Sequence, residues 1–166
     1  MSSRLPMTQA MRVLREHGVA FEPHEYAYVE KGGTRASSEA LGVDEHAVFK
    51  TLVFEDERGE PMLVLMHGDR EVSAKALARL RGVKRVAPCR PEVADRHSGY
   101  QVGGTSPFGT RREMPVYMER SILDLPRMWI NGGRRGFLIS LSPADAARVL
   151  APIVAELATD STPREP

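Results

Sequence analysis

The order of apolar and polar residues along the chain predicts short helices and strands in alternation. Met11 and Leu14, at helical spacing, predict a first helix that Thr8 caps and Gly18 ends. The next segment, VAFEPHEYAYVE, alternates between apolar and polar residues and carries aromatic ones. It therefore predicts a strand that Pro23 interrupts.

Two further segments predict a helix and a hairpin. KGGTRASSEALGV is typical of a loop that enters a short helix, with Ser37 or Ser38 as its N-cap and Gly42 at its end. The run AVFKTLVFE is rich in β-branched and aromatic residues, and the turn segment DERGE separates it from the run PMLVLMH. These two runs predict a hairpin through the core.

Helix and strand signals continue up to a glycine-rich break. We expect a helix over residues 69–80, capped near Ser73 and ended at Gly82. VKRVAP predicts a short strand, and Pro91 is typical of the first position of a helix in PEVADRHSG. The segment 99–109, GYQVGGTSPFG, contains four glycines and a proline, so no regular element is expected there.

The last third of the chain predicts a second hairpin and a final helix. MPVYMER and RMWIN favour strands, NGGRRG favours a tight turn, and FLISL favours the returning strand. Ser142 and Pro143 favour an N-cap and first turn for the helix ADAARVLAPIVAELA, which Pro152 is expected to kink. Hairpins mixed with helices indicate the α+β class with an antiparallel or mixed sheet.

Length and composition limit the number of domains and indicate the cellular compartment. The 166 residues, 42% of them hydrophobic, suffice for one core but not for two typical domains. We expect one domain over residues 1–158 and a disordered tail over residues 159–166. With no apolar leader and no stretch long enough to cross a bilayer, the chain is expected to be soluble and cytoplasmic. One cysteine, Cys89, excludes an internal disulfide and a multi-cysteine zinc site.

Charge adds little to the prediction. A formal net charge of +1 argues against a protein that holds long nucleic acid through overall positive charge. Three local basic clusters stand beside glycines or turn signals, and solvated surface charge is the simpler interpretation of each. The clusters are Arg79, Arg81, Lys84 and Arg85; Arg111 and Arg112; and Arg134 and Arg135.

Lys50 is the first candidate functional residue, because it stands inside an apolar run where an unpaired buried ammonium would be costly. It therefore predicts a negatively charged partner. The alternative is a lysine whose stem crosses the apolar surface and whose ammonium reaches water. Thr51 is expected on the opposite face of the strand.

The glycine-rich loop 99–109 is the second candidate. Its glycines could bring backbone N–H groups close to an ester carbonyl or a phosphate, and a purely structural turn is an equal alternative. The loop matches neither the P-loop nor the dinucleotide fingerprint. In WINGGRRG, a hairpin with an Asn-Gly turn is the favoured interpretation.

The search for a nucleophile or a metal site yields no motif. None of the histidines has a ligand spacing such as HExxH, and no serine occupies a GxSxG motif. Cys89 ends a predicted strand and is expected to be a small buried hydrophobe. An enzyme with this sequence would lack an obvious side-chain nucleophile. The histidines are His17, His24, His46, His67 and His97.

Three segments, taken in their order along the chain, resemble the YbaK/EbsC family of trans-acting prolyl-tRNA editing proteins. They are FKTLVFE with Lys50, the loop GYQVGGTSPFG and the hairpin INGGRRGFLISLSPADAARVL. The resemblance covers roughly residues 7–152. It implies a mixed or antiparallel, β-barrel-like sheet surrounded by helices. It also implies a deacylase that acts on mischarged tRNA, typically Cys-tRNA(Pro), without a metal or another cofactor.

The resemblance also implies the roles of individual residues. Lys50 matches a lysine that is required for activity and lies where the terminal adenosine and the ester would bind. Gly103 and Gly104 match a glycine pair whose backbone contacts the aminoacyl ester. Because a cysteinyl ester carries a thiol that can attack its own carbonyl, the protein would need only to orient it and stabilise the oxyanion. The expected substrate-binding residues are Tyr26, Thr51, Asn131, Gly132 and Gly133.

The substrate and the partners stay open at this point. Asn131 departs from a serine that is common in the family, which makes alanine or serine alternative substrates. The FKT triplet favours cysteine, because asparagine commonly follows the lysine in alanine-specific relatives. A non-catalytic module that binds tRNA or a synthetase is the alternative outside the enzyme class. The near-neutral charge implies weak intrinsic tRNA affinity, so recruitment by prolyl-tRNA synthetase or the elongation machinery is expected.

Overall fold

A mixed sheet of eight strands lies at the centre of residues 7–159, which the computed structural model describes. The strands are β1 (Glu22–Glu25), β2 (Val48–Asp56), β3 (Pro61–His67), β4 (Val86–Pro88), β5 (Val116–Glu119), β6 (Met128–Arg134), β7 (Phe137–Leu141) and β8 (Ile153–Ala155). Their order is β1-β7-β6-β2-β3-β5-β8, with β4 paired to β2 beside this path. The pairs β2–β6, β3–β5 and β5–β8 are parallel and the other pairs are antiparallel.

Helices cover both faces of this sheet. They are α1 (Gln9–Glu16), α2 (Gly33–Leu41), α3 (Ala74–Arg81), α4 (Pro91–Ser98) and α5 (Pro143–Leu150), with short 3₁₀ helices at Glu45–Ala47 and Arg120–Asp124. Every residue of β3 is buried: Leu63 and Leu65 belong to one hydrophobic cluster, whereas Met62 and Met66 belong to a second cluster with Leu77 of α3. Burial of each such side chain contributes about 1.5–3 kcal/mol, so β3 contributes to the core on both of its faces.

The structure confirms the α+β class, both hairpins and several predicted helix ends. The hydroxyl of Thr8 accepts a hydrogen bond from the Met11 N–H at 3.1 Å, and Ser73 and Ser142 cap α3 and α5 in the same way. Pro91 stands at the start of α4, where its missing N–H breaks no helical hydrogen bond.

The helix prediction after Lys31 placed the N-cap wrongly. Gly32, not a serine, precedes α2, and Ser37 and Ser38 lie inside the helix. Their hydroxyls donate to the carbonyls of Thr34 and Arg35 at 3.1 and 2.9 Å, so an interior position leaves neither hydroxyl unpaired. The strand predicted for VAFEPHEYAYVE is likewise shorter, because only β1 pairs with β7.

Two predictions near the C-terminus are also corrected. The last helix is not kinked at Pro152 but ends at Leu150, and the following segment turns back to form β8 beside β5. Proline has no N–H to continue the helix, and Ala151 before it adopts a left-handed conformation. Asn131 does not form the hairpin turn, since it pairs with Leu138 inside the β6–β7 ladder.

The predicted tail falls almost entirely outside the described residues. The N–H of Thr159 donates to the Glu71 carbonyl at 2.9 Å, and residues 160–166 are not described. Among residues 7–159, no helix is both long and apolar enough to cross a membrane.

Candidate active site

A cavity of about 680 Å³ opens where β2 separates from β6. The two strands pair only at Val48–Trp129 and Phe49–Ile130, and β4 joins β2 only from Phe54 onwards. Between these contacts, residues 50–53 line the cavity. The break in pairing therefore creates an open strand edge beside a ligand-sized space.

Lys50 and Asn131 project to the same face beside this opening. Each lies two residues beyond the paired Val48 and Trp129, and side chains two apart on a strand share a face. The Lys50 ammonium lies 3.3 Å from a carboxylate oxygen of Glu71. The Lys50 side chain is 20% exposed and that of Glu71 is 80% exposed, so the predicted negative partner is present but largely in water.

Both ends of the Asn131 side chain are engaged by backbone. Its amide nitrogen donates to the Gly103 carbonyl at 3.1 Å, and its oxygen accepts from the Gly133 N–H at 2.7 Å. Asn131 therefore joins the glycine-rich loop to the irregular part of β6. It lines the cavity, but its hydrogen-bonding groups are used to hold the loop.

The two glycines of the loop tip differ in what their amides can do. The Gly104 N–H donates to the Gln101 carbonyl at 2.6 Å, so it is not available to an ester in this conformation. Within the described residues, the Gly103 N–H meets no acceptor, and Gly103 lines the cavity. Gly103 also has a φ of 95°, which favours glycine over any residue with a side chain.

Gly132 and Gly133 lie away from the cavity. The Gly132 carbonyl accepts from the Thr8 hydroxyl at 2.6 Å, and a Cβ at Gly132 would meet the Phe137 ring. A Cβ at Gly133 would meet Thr8 and Tyr100. Gly133 thus leaves room for the start of α1, Gly132 leaves room for the Phe137 ring of β7, and neither glycine lines the cavity.

Tyr26 and Thr51 both line the cavity. Burial raises the pKa of Tyr26, and Ser37 lies within hydrogen-bonding reach of its hydroxyl. The Thr51 hydroxyl is buried and has no hydrogen-bond partner among the described residues. An unpaired buried hydroxyl costs roughly 1–3 kcal/mol, which makes it a candidate contact for a bound ligand.

No activated nucleophile lies in the described part of the cavity wall. Burial, with the Glu55 carboxylate beside it, raises the pKa of Cys89 to about 12, so its thiol stays protonated. His46, His67 and Asp69 lie close together elsewhere, but both ring nitrogens of His67 already meet protein oxygens. This second group is therefore better explained as a structural cluster than as a set of metal ligands.

Tyr28 and Arg135 are among the cavity-wall residues that sequence reasoning missed. Tyr28 stands two residues after Tyr26 in HEYAY, and this alternation could have placed both on one face of an extended segment. Arg135 was expected to be solvated surface charge. Its neighbour Arg134 does pair with Glu25 on the surface, whereas Arg135 turns towards the glycine-rich loop.

The family model of the aminoacyl-tRNA editing domain matches residues 32–149 of this chain. The chain belongs to this family. It is 31% identical over 137 residues to EbsC of Enterococcus faecalis, which is named as a candidate Cys-tRNA(Pro)/Cys-tRNA(Cys) deacylase. That match covers 82% of this chain and 84% of EbsC.

Two further comparisons agree with the family. A crystal structure described as a candidate trans-editing enzyme for prolyl-tRNA synthetase superimposes with a TM-score of 0.80 at 23% identity, over 93% of this chain and 99% of that chain. The proline–tRNA ligase of Thermodesulfovibrio yellowstonii is 35% identical over 89 residues, which are 54% of this chain and 15% of the ligase. The predicted family and fold are thus confirmed.

Proposed function

We propose that this protein removes cysteine from mischarged Cys-tRNA(Pro) in the cytoplasm, using the thiol of the substrate as the nucleophile. The observation that carries the proposal is a cavity with a lysine and a glycine-rich loop but, among its described residues, no activated nucleophile. The relationship to EbsC supports the choice of amino acid.

The reaction needs no side-chain nucleophile. The cysteinyl sulfur attacks its own ester carbonyl carbon, and the bond from that carbon to the 2′- or 3′-oxygen of the ribose breaks. The departing oxygen takes up the proton that the thiol releases, and a cyclic thiolactone leaves, which water later hydrolyses to cysteine. The protein holds the ester in the reactive conformation and stabilises the oxyanion.

The geometry suggests a role for three cavity residues. The Gly103 N–H is the donor for the oxyanion, since the Gly104 N–H is already bonded. Lys50 gives up its ion pair with the exposed Glu71 carboxylate and binds the ribose-phosphate end of the substrate instead. Thr51, beside the apolar side chains of the wall, contacts the small aminoacyl group.

Serine is the second candidate amino acid. The unpaired Thr51 hydroxyl supports it, because a serine hydroxyl could both donate to and accept from that group. Asn131 supports neither candidate directly, since its amide is bonded at both ends to backbone.

The test is deacylation of Cys-, Ser- and Ala-tRNA(Pro), with S-methylcysteinyl-tRNA(Pro) as the matched control substrate. We expect Cys-tRNA(Pro) to be cleared fastest and the S-methyl substrate to survive, because its sulfur cannot close the ring. Intact Cys-tRNA(Pro) would overturn the proposed function. Equal rates for the cysteinyl and S-methyl substrates would overturn the mechanism alone, and faster loss of serine would favour the second candidate.

The same assay tests the proposed partners. We expect prolyl-tRNA synthetase to increase the rate, because the chain has a net charge of only +1 with which to attract tRNA. Binding of tRNA or synthetase with no deacylation of any substrate would favour a non-catalytic module.

A further inference from the structure

Tyr28 and Arg135 form a cation–π pair on the wall of the cavity that contains Lys50. The Arg135 guanidinium lies 5.0 Å from the centre of the Tyr28 ring, within the range of a cation–π contact. Both residues are half-buried and both line the cavity. They therefore offer a ligand an aromatic ring and a planar cation at one place.

The pair is fixed directly against the glycine-rich loop. Arg135 Nε donates to the Val102 carbonyl at 3.0 Å. A Cβ on Gly103 would lie 2.5 Å from the Tyr28 hydroxyl oxygen and 3.1 Å from Arg135 Nε, so the pair occupies the space that a side chain at 103 would need. The pair therefore packs directly against Gly103, and all three residues line the same cavity.

The pair also retains unused hydrogen-bonding groups. Among residues 7–159, the Tyr28 hydroxyl meets no acceptor, and the terminal nitrogens of Arg135 pair with no carboxylate. The Arg134 guanidinium, in contrast, forms an ion pair with the Glu25 carboxylate. Since Arg135 is anchored through Nε alone, its remaining N–H groups can donate to a phosphate or a ribose oxygen.

These observations point to a nucleoside. In an aminoacyl-tRNA the ester is attached to the ribose of the terminal adenosine, so the ribose and the base must lie next to the ester. Unpaired bases are bound by stacking on aromatic rings and on arginine planes, while the phosphates are bound by donors such as free guanidinium N–H groups. The Tyr28–Arg135 pair supplies both kinds of contact beside Gly103.

We propose that Tyr28 and Arg135 are the subsite for the terminal adenosine of tRNA: the base packs against the pair, and the free Arg135 N–H groups donate to the adjoining phosphate. This inference rests on the proposed function for its ligand. It adds the residues that recognise the nucleotide, as distinct from the aminoacyl group.

The test is direct binding of a 5′-fluorescein-labelled oligoribonucleotide ACCA, with ACCU as the control sequence, followed by fluorescence anisotropy. We expect the wild-type protein to bind ACCA more tightly than ACCU. Tyr28→Ala and Arg135→Ala should each weaken ACCA binding, by roughly five- to hundredfold for the loss of one stacking partner, and reduce the preference over ACCU. Arg134→Ala, which removes the same charge from the adjacent position, should bind like the wild type.

Tyr28→Phe and Arg135→Lys keep the proposal testable if Tyr28→Ala does not fold. The phenylalanine variant keeps the ring and should keep the preference for ACCA. The lysine variant keeps the charge but loses the planar guanidinium, so it should lose most of that preference. Equal wild-type binding of ACCA and ACCU, or wild-type binding by both alanine variants, would overturn the proposal. Because this assay contains no ester, its outcome is independent of whether Cys-tRNA(Pro) is deacylated.

Discussion

The cavity beside Lys50 and the buried polar cluster around Glu119 differ in how completely their polar groups are paired. In the cavity, the Thr51 hydroxyl and the Gly103 N–H have no partner among the described residues. Around Glu119, both carboxylate oxygens and the imidazole of His67 make hydrogen bonds with protein groups. The difference indicates that the Glu119 cluster holds the fold, whereas the cavity keeps polar groups free for a ligand.

The Glu119 cluster ties three parts of the chain together. One carboxylate oxygen accepts from the Leu157 and Ala158 N–H groups at 2.7 and 2.9 Å. The other accepts from the N–H and hydroxyl of Ser121 at 3.1 and 2.7 Å, and His67 Nε2 lies 2.7 Å from the same hydroxyl. Although burial acts to raise it, these hydrogen bonds hold the pKa of Glu119 below its ordinary value.

Glu119→Ala is expected to have the largest effect of the changes considered. It leaves several buried donors without an acceptor, so the free energy of unfolding should fall by on the order of 3 kcal/mol or more. Urea denaturation followed by circular dichroism measures the loss. The folded fraction should still deacylate its substrate, because the cluster lies outside the cavity lining.

The pH dependence of stability provides the control for that variant. Because the pKa of Glu119 is lowered in the folded state, its contribution is present above the unfolded value and is lost as the pH falls through the folded value. Burial lowers the pKa of His67 as well, so protonation of that group at acid pH also opposes folding. As the pH falls from neutral to well below the ordinary pKa of a glutamate, wild-type stability should fall by more than that of Glu119→Ala. Parallel curves would contradict this account of the cluster.

Lys50→Ala, in contrast to Glu119→Ala, should lower activity strongly and stability only slightly. Its ion pair with Glu71 is largely exposed on the carboxylate side, so the loss in stability should be below about 1 kcal/mol. If Lys50 binds the ribose-phosphate end of the substrate, kcat/KM for Cys-tRNA(Pro) should fall roughly ten- to hundredfold. Glu71→Gln is the matched control, since it removes the pair but keeps the ammonium, and it should retain activity. A wild-type kcat/KM for Lys50→Ala would show that Lys50 is not part of the substrate-binding site.

The contrast between the two regions also explains what could be predicted from the sequence. The hairpins and caps follow from local patterns, such as Ser142 before Pro143, and these predictions are confirmed. Lys50 was identifiable because a charge inside an apolar run is conspicuous. Glu119 and His67 gave no such signal, since their partners are backbone groups and a serine from distant parts of the chain.

Local sequence failed where long-range packing decided the conformation. Asn131-Gly132 is a strong turn signal, but pairing with β7 and the hydrogen bond to Gly103 keep Asn131 in the ladder. Pro152 was expected to kink a helix, but the helix ends and Ile153 pairs with β5 instead. Arg135 could not be distinguished from Arg134 without knowing which of them meets the glycine-rich loop.

Thr51→Val tests directly whether an unpaired group serves a ligand. Valine has nearly the shape of threonine and removes the unpaired hydroxyl, so the free energy of unfolding should stay equal or rise by up to about 1 kcal/mol. Activity should fall several-fold at the same time if the hydroxyl contacts the aminoacyl group, and Thr51→Ser should restore it. A clear loss of stability would mean that the hydroxyl has a partner within the protein.

Cys89 gives the smallest expected effect, because it lines the cavity without chemical activity. With its pKa raised to about 12, almost none of the thiol is ionised at pH 8, and alkylation by iodoacetamide should be at least roughly a hundredfold slower than for free cysteine. Glu55→Gln should increase the rate, since it removes the nearby negative charge, and unfolding in urea should restore the ordinary rate. Rapid alkylation of the folded protein would show a reactive thiol in the cavity, and the substrate would then no longer be the only candidate nucleophile.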